Sequence, residues 1–173
     1  MTGRFSIRLA KPSDAPHLPE VERSAGKAFR SVAGLEWVAD SAVLSEDEHL
    51  YWMKKASLWI AENQKQKLCG FLVAEPFKTE LRILELSVRF SEQRAGIGRQ
   101  LMTTAKEYAL KNGLDSLTLT TFRNLKFNEK FYAGLGFQTL DPDALPEHLQ
   151  ATLDQEAIEG LPRERRCAMR KVL

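Results

Sequence analysis

The sequence has few of the residues and patterns that mark several common protein classes. It contains two cysteines and three histidines among 173 residues. The three histidines lie far apart and lack metal-ligand spacing, so we expect no metal site. No apolar run approaches the roughly 20 residues that a membrane-spanning helix needs, so we expect no membrane segment. Because no signal peptide precedes Cys69 and Cys167, a reduced cytoplasmic chain is expected.

The net charge is small, but the charges are unevenly distributed. A net charge of +2 is too low to indicate a nucleic-acid or membrane partner. The stretch 89–111 holds five basic and two acidic residues, and it could face a polyanionic cofactor or form an ordinary solvated helix face. The stretch 143–159 holds five acidic residues and no Lys or Arg, which could attract a cationic amine or simply be solvated.

Length and hydrophobic periodicity predict one α/β domain over residues 1–173. Hydrophobic content of 43% and charged content of 28% are ordinary for a globular domain. Period-2 and β-rich runs predict strands at 5–9, 57–61, 68–77, 80–90, 116–122, 137–140 and 166–173. Helical spacing predicts helices at about 13–29, 46–55, 98–112, 126–134 and 146–159. Because strands and helices do not alternate strictly, we expect a mixed sheet with helices on both faces.

The most informative segment joins a strand to a helix through a turn that contains two glycines. The turn runs from Gln93 to Gly98, and a helix begins directly after it. The first N–H groups of a helix lack internal acceptors and attract anions. Gly96 and Gly98 would let phosphate oxygens approach the backbone, and Arg94 and Arg99 add positive charge. The alternative is a tight turn that needs only glycine's conformational freedom.

Two better-known phosphate motifs do not fit this turn. The dinucleotide fingerprint requires a third glycine three residues after Gly98, and the Walker A loop requires a Gly-Lys-Ser/Thr ending. Neither is present in the sequence.

A second patterned segment follows, from Thr120 to Phe137. It contains Tyr132, then three residues, then Gly136 and Phe137. A predicted short helix places Asn128 and Tyr132 four residues apart on one face.

The two segments, in this order, resemble motifs A and B of the GNAT superfamily of N-acetyltransferases. Gln93, Gly96 and Gly98 fill the motif A pattern Gln/Arg-x-x-Gly-x-Gly/Ala. Phe90 departs from the proline that many members carry, at a position that shapes the entrance to the turn. The motifs cover about residues 68–140, and the remaining predicted elements extend the resemblance to most of the chain. It implies a single-domain GNAT-like mixed sheet with a splayed central strand pair.

The resemblance also implies acetyl-CoA as the acyl donor. In the family, the turn amides hold the CoA pyrophosphate, and the end of the preceding strand binds the pantetheine arm. The cofactor-binding residues that follow from this resemblance are Leu86, Ser87, Val88, Gln93, Arg94, Ala95, Gly96, Ile97, Gly98, Arg99, Asn128 and Tyr132.

Transfer of an acetyl group to an amine needs a base, an oxyanion donor and an acid. The resemblance makes Tyr132 the acid for the leaving thiolate, and a strand N–H near Val88 the oxyanion donor. Glu85 is the candidate base, directly or through water, with Glu75 as a substitute. Structural alternatives stay open, since Tyr132 could be a core aromatic and Glu85 a satisfied buried carboxylate. His49 is expected at the surface.

The sequence therefore predicts an acetyl-CoA-dependent N-acetyltransferase acting on a primary amine, either a small molecule or a peptide. The alternatives are a non-catalytic acyl-CoA-binding regulatory domain on the same fold, and a binder of a different nucleotide. The acceptor is undetermined, and the resemblance allows a homodimer because dimers are common in the family.

Overall fold

The computed structural model describes residues 4–173. Its strands are β1 Phe5–Leu9, β2 Ser57–Asn63, β3 Leu68–Phe77, β4 Glu80–Val88, β5 Ser116–Phe122, β6 Gln138–Thr139 and β7 Arg166–Val172. Its α-helices are α1 Leu18–Gly26, α2 Glu46–Lys55, α3 Ile97–Lys111, α4 Glu129–Ala133 and α5 Glu147–Ile158.

The strands form a seven-stranded sheet in the order β1-β2-β3-β4-β5-β7-β6. β4 and β5 are parallel, whereas β1–β2, β2–β3, β5–β7 and β6–β7 are antiparallel. This mixed sheet with helices confirms the predicted α/β class. The chain divides into two compact units, one of Met1–Glu75 with Glu85–Glu107 and one of Pro76–Leu84 with Tyr108–Leu173.

In the first unit, β1, β2 and β3 form an antiparallel meander. Phe5 lies opposite Asn63, and Ser57 lies opposite Ala74. Leu58 to Ala61 are consecutively buried, and so are Leu68 to Ala74. Strands that are apolar at every position are covered on both faces, unlike strands that alternate with a solvated side.

The two faces of β3 in this unit carry different helices. A Cβ atom at Gly70 would point to Ile97 of α3 and to Val88 of β4. Successive residues of a strand point to opposite faces, so Phe71 belongs to the other face. There the Phe71 ring packs edge-on against His49 of α2, with 5.0 Å between ring centroids. Helices therefore lie on both faces here, as expected.

The predicted helix at 13–29 is divided into shorter pieces. Residues Pro12–His17 form a 3₁₀-helix, α1 follows, and a second 3₁₀-helix runs over Lys27–Ser31. The carboxylate of Asp14 accepts bonds from the Lys11 N–H at 2.7 Å and from Arg8 at 2.8 Å and 3.0 Å. Pro16 has no N–H to donate in a continuing α-helix, which is a local reason for the division.

In the second unit, the first part of β4 pairs with β5. The parallel register comprises Glu80–Ser116, Leu81–Leu117 and Arg82–Thr118. Within the described residues of this unit, the register ends at Arg82, although β4 continues. By contrast, β5 pairs with β7 along its whole length, from Ser116 to Phe122. This early end of the β4–β5 ladder is what a splayed strand pair requires.

The second unit has its own apolar cluster under α5. Leu149, Leu153 and Ala168 are buried together, with Leu140 and Leu145 packed against them.

Among residues 4–173, the structure contains no helix with the length and apolar character needed to cross a bilayer.

Candidate active site

The turn between β4 and α3 contains two residues with left-handed backbone. β4 ends at Val88, a short 3₁₀-helix occupies Phe90–Glu92, and α3 begins at Ile97. Arg94 has φ 64° and Gly96 has φ 90°. Left-handed residues of this kind turn successive amides toward one concavity, an arrangement that favours anions. Gly96 occupies a conformation that L-residues adopt at a cost, so this glycine is required by the geometry.

Within residues 4–173, the amides of this turn have no protein acceptor. In the described part of the chain, the backbone N–H groups from Arg94 to Arg99 make no hydrogen bond to protein, whereas the N–H of Gln100 donates to the Gly96 carbonyl at 3.0 Å. The side chains of Arg94 and Arg99 are exposed beside them. These amides, the N-terminal partial charge of α3 and the two guanidinium groups suit a polyanion such as a diphosphate.

The side chain of Gln93 fastens the turn to neighbouring backbone. Its Nε2 donates to the Val88 carbonyl at 3.1 Å and to the Ala25 carbonyl at 3.5 Å. The side-chain amide therefore holds the turn against the end of β4 and the C-terminal part of α1. The binding of cofactor by Gln93 stays a prediction.

Arg89 also holds the end of β4 in place. From the sequence it was recognised only as one of the five basic residues in the stretch 89–111. Its Nε donates to the Leu68 carbonyl at 2.7 Å, its N–H to the Cys69 carbonyl at 2.7 Å, and its Nη1 to Glu20 at 2.8 Å. The guanidinium holds the pKa of the Glu20 carboxyl below its ordinary value. With Arg89 buried, β4 is tied to β3 and α1 immediately before the turn.

Glu85 lies on β4 in a half-buried position, and Ser87 on the same face is buried. The Ser87 hydroxyl donates to Glu85 Oε1 at 2.8 Å. Because Ser87 alternates with Val88, which points toward α3, Glu85 and Ser87 belong to the face that carries α2. The candidate base is thus on the helical face opposite α3.

A neighbouring carboxyl, Glu22 of α1, was not identified from the sequence. Burial, and then the negative charge of Glu85, raises the pKa of Glu22 to about 8. Its Oε2 accepts a hydrogen bond from the Leu44 N–H at 3.0 Å. The sequence carries no local signal for this contact, since residues 22, 44 and 85 are brought together only by folding.

His49 is not at the surface, and this expectation was wrong. The residue is fully buried, and neither ring nitrogen has a hydrogen-bond partner among the described residues. Burial lowers the pKa of the His49 imidazole. The capping box of Ser45 and Glu48 starts α2, and His49 is the one residue of this helix that is fully enclosed.

Asn128 and Tyr132 belong to the second compact unit. The predicted helix at 126–134 is shorter, since α4 begins at Glu129 and Asn128 is its N-cap with φ −125° and ψ −106°. The Tyr132 N–H still donates to the Asn128 carbonyl at 3.0 Å, while Asn128 Oδ1 is buried without a partner among the described residues. Tyr132 is 8% exposed. Its ring packs against the Phe137 ring, with an angle of 66° between the ring planes. The chemical roles of both residues stay predictions.

The acidic stretch 143–159 includes a carboxylate with a structural partner. Glu156 accepts two hydrogen bonds from the Arg166 guanidinium, at 2.9 Å and 3.0 Å, and one from the Thr120 hydroxyl. This bidentate pair ties α5 to β5 and β7. The Glu156 carboxylate is therefore satisfied by protein groups.

The fold and the turn define an α/β protein in which a helix N-terminus with unpaired amides, among the described residues, follows the fourth strand. The family model described as acetyltransferase (GNAT) domain matches residues 54–139. This match places residues 54–139 in the GNAT superfamily of acetyltransferases.

Relatives and a solved structure agree with this placement. N-acetyltransferase family 8 members 3 and 7 of Mus musculus are each 30% identical over 86 residues, which is 46% of this chain. The match spans 38% and 37% of those two proteins, respectively. The PaiA N-acetyltransferase of Thermoplasma acidophilum, solved in complex with coenzyme A, has a TM-score of 0.75 and 19% identity, covering 98% of this chain and 99% of that one. At this identity the similarity concerns the fold.

Proposed function

We propose that this chain transfers an acetyl group from acetyl-CoA to a primary amine. The observation that carries the proposal is the run of backbone amides from Arg94 to Arg99 that donate to no described protein acceptor. A GNAT family match over residues 54–139 and a fold shared with a protein solved with coenzyme A support the same cofactor.

In this proposal the turn amides bind the pyrophosphate. The concavity at Arg94 and Gly96 presents N–H groups, and Arg94 and Arg99 offset the negative charge. The end of β4, from Leu86 to Val88, binds the pantetheine arm through its backbone. Ala95, Ile97 and Gly98 contribute backbone groups, and the Val88 N–H is the oxyanion donor.

The reaction transfers the acetyl group from the thioester to an amine that arrives as its ammonium ion, and every proton is accounted for. The ammonium first loses one proton, because only the neutral amine has a lone pair. The amine nitrogen then attacks the thioester carbonyl carbon, the C–N bond forms and the C–S bond breaks. The nitrogen loses a second proton, and the thiolate gains one to become the CoA thiol. One proton is released to solvent overall.

Two residues are assigned to these proton transfers. Glu85 takes the first proton, directly or through water, which is supported by its half-buried place on β4 and its bond to Ser87. Tyr132 protonates the thiolate, which is supported by its place in motif B. Asn128, with its buried Oδ1 lacking a partner among the described residues, is the polar contact to the cofactor arm.

Two measurements test the proposal. Calorimetry should show saturable CoA binding, and free-thiol release from acetyl-CoA should rise when primary amines are added. CoA binding without amine-dependent thiol release from any amine class would instead favour a non-catalytic acyl-CoA-binding domain. If ATP or NAD binds and CoA does not compete, the cofactor assignment is wrong.

A further inference from the structure

β1 is an edge strand of the sheet. Among the described residues its one neighbouring strand is β2, and all five of its residues pair there in a continuous register. An edge strand presents a row of N–H and C=O groups to which another strand can bond. Proteins often block such an edge with lysine, proline or a bulge, and β1, with the sequence FSIRL, has none of these. The outer edge of β1 is therefore suited to pairing with a further strand.

A hydrogen bond just after β1 identifies the residues that face this edge. The Ala10 N–H donates to the Leu58 carbonyl at 2.8 Å, so the backbone groups of Ala10 point toward β2. In an antiparallel pair, the backbone groups of successive residues point alternately toward and away from the neighbouring strand. Phe5, Ile7 and Leu9 therefore direct their N–H and C=O groups toward the outer edge.

The same three residues carry apolar side chains on one face of the sheet. Ile7 lies opposite Ala61, which lies opposite Gly70, and a Cβ atom at Gly70 would point toward α3. Phe5 and Ile7 are half-buried on this face, whereas Leu9 is 60% exposed. A strand added at the edge would therefore cover an exposed apolar side chain as well as backbone groups.

The charged side chain of β1 is balanced within its own chain. The Arg8 guanidinium donates to Asp14 at 2.8 Å and 3.0 Å, and to Glu62 at 3.0 Å. Its Nη1 also donates to the Leu9 carbonyl at 3.1 Å. That carbonyl oxygen has a second lone pair, so it can accept a further bond from another strand. Arg8 therefore does not block the edge with an unpaired positive charge.

One register about a two-fold axis pairs all three edge-facing residues of β1 with those of a second copy. When the axis passes at Ile7, Ile7 lies opposite its own counterpart and Phe5 lies opposite Leu9 in both directions. This register gives three bonded pairs with two hydrogen bonds each. An axis at Ser6 or at Arg8 gives only two bonded pairs. The axis at Arg8 also sets two arginines directly opposite each other, which is unfavourable for like charges.

We propose that β1 is a homodimer interface, through which two copies of this chain pair antiparallel about Ile7. The occupant is a second copy because the strand is self-complementary: each edge-facing apolar residue meets an apolar residue, and Arg8 lies opposite Ser6. Five residues from each copy form a small interface, so we expect a reversible dimer with a Kd on the order of 10 μM. The inference does not depend on acetyl transfer.

Analytical ultracentrifugation tests the dimer by its dependence on concentration. Leu9→Lys should raise the dimer Kd by about tenfold or more, because each dimer contains two symmetric contacts between Leu9 and Phe5. The matched control is Leu110→Lys, since Leu110 is 53% exposed and lies on α3, outside β1. This control should keep the Kd of the wild type. Thermal unfolding establishes that both variants are folded.

Cysteine cross-linking tests the register. Ile7→Cys places two thiols in a bonded pair whose Cα atoms lie about 5.5 Å apart, within the range of a disulfide. Oxidation with copper–phenanthroline should therefore give a dimer on a non-reducing gel. In Leu9→Cys the two thiols lie about 14 Å apart along the strands, so this control should stay monomeric on the gel. The native Cys69 and Cys167 are buried and should not cross-link.

Each result either supports the interface or overturns it. A wild type that sediments as a monomer up to about 1 mM would show that a second copy does not occupy the edge. Equal dimer Kd values for Leu9→Lys and Leu110→Lys would place the dimer contact elsewhere. Cross-linking of Leu9→Cys without cross-linking of Ile7→Cys would contradict the register. The transferase proposal is tested separately, by CoA binding and thiol release.

Discussion

A Cβ atom placed on Gly70 would lie 2.8 Å from the carbonyl oxygen of Ser87. This distance is shorter than real Cβ contacts, so β3 and β4 approach each other closely beside the candidate base. The neighbouring bond from the Arg89 N–H to the Cys69 carbonyl, at 2.7 Å, holds the same stretch together. Gly70 thus permits the backbone position from which Glu85 and Ser87 project.

Gly70→Ala should destabilise the protein, because the added methyl group meets backbone that cannot rotate away. We expect a loss of about 1–3 kcal/mol in the free energy of unfolding, as for overpacked core positions. Urea unfolding would measure it. Gly26→Ala is the control, since its Cβ would make only ordinary contact, at 3.6 Å from the Ala39 carbonyl oxygen. Equal stability of the two variants would mean that the strands separate at little cost.

Gly96→Ala should weaken CoA binding about tenfold, which corresponds to about 1.4 kcal/mol. The added methyl group clashes with nothing, since no atom lies within 4 Å of the new Cβ. However, the backbone φ of 90° at this position is unfavourable for alanine. The turn will therefore relax and reorient its amides. Calorimetric titration with CoA measures the change.

Gly113→Ala is the matched control for the Gly96 experiment. Gly113 has φ 69° and also has nothing within 4 Å of its added Cβ, but it lies after the C-terminus of α3. Both substitutions should lower Tm by similar amounts, while only Gly96→Ala reduces CoA affinity. The turn would lose its assigned role if both variants bound CoA like the wild type.

Tyr132→Phe should reduce kcat by about tenfold or more, within the range of general acid catalysis. Phenylalanine retains the ring that packs on Phe137, and thermal unfolding of the variant establishes that it is folded. Free-thiol release at saturating acetyl-CoA gives kcat, with Tyr51→Phe, an exposed tyrosine, as the control. A Tyr132→Phe enzyme with unchanged kcat would remove the hydroxyl from the mechanism.

His49 should make the protein less stable in mild acid. Burial lowers the pKa of its imidazole in the folded state and outweighs the opposing charge of Glu48. The unfolded chain therefore binds more protons below its pKa of about 6.5, and the free energy of unfolding falls as the pH decreases through that value. Above it, the full stability is present.

His49→Phe tests this dependence and the unpaired ring nitrogens together. Phenylalanine removes two buried polar atoms that have no partner among the described residues, which should stabilise the fold by about 1–3 kcal/mol. Urea unfolding measures the free energy of unfolding at pH 5.5 and pH 7.5. Its decrease between pH 7.5 and pH 5.5 should be smaller for His49→Phe than for the wild type. The control His17→Gln, a substitution at an exposed histidine, should behave like the wild type. A destabilised variant would indicate that an internal water or other group satisfies the imidazole.

The sequence alone predicted the features that depend on neighbouring residues. The turn from Gln93 to Gly98 was found because glycine positions and strand–helix order are local properties. The observed α3 and β5 differ from the predicted 98–112 and 116–122 by at most one residue. The shorter α4 and the division of the predicted helix at 13–29 were missed, because helix ends depend on caps and on proline as well as on periodicity.

Tertiary structure decided which distant groups meet. The burial of His49 follows from α2 packing on Phe71, and the raised pKa of Glu22 follows first from its burial and then from the charge of Glu85. Nothing within a few residues of Glu22 signals that encounter. Hydrophobic periodicity determines which face of an element is buried, whereas the side chains opposite that face come from segments that only the folded chain brings together.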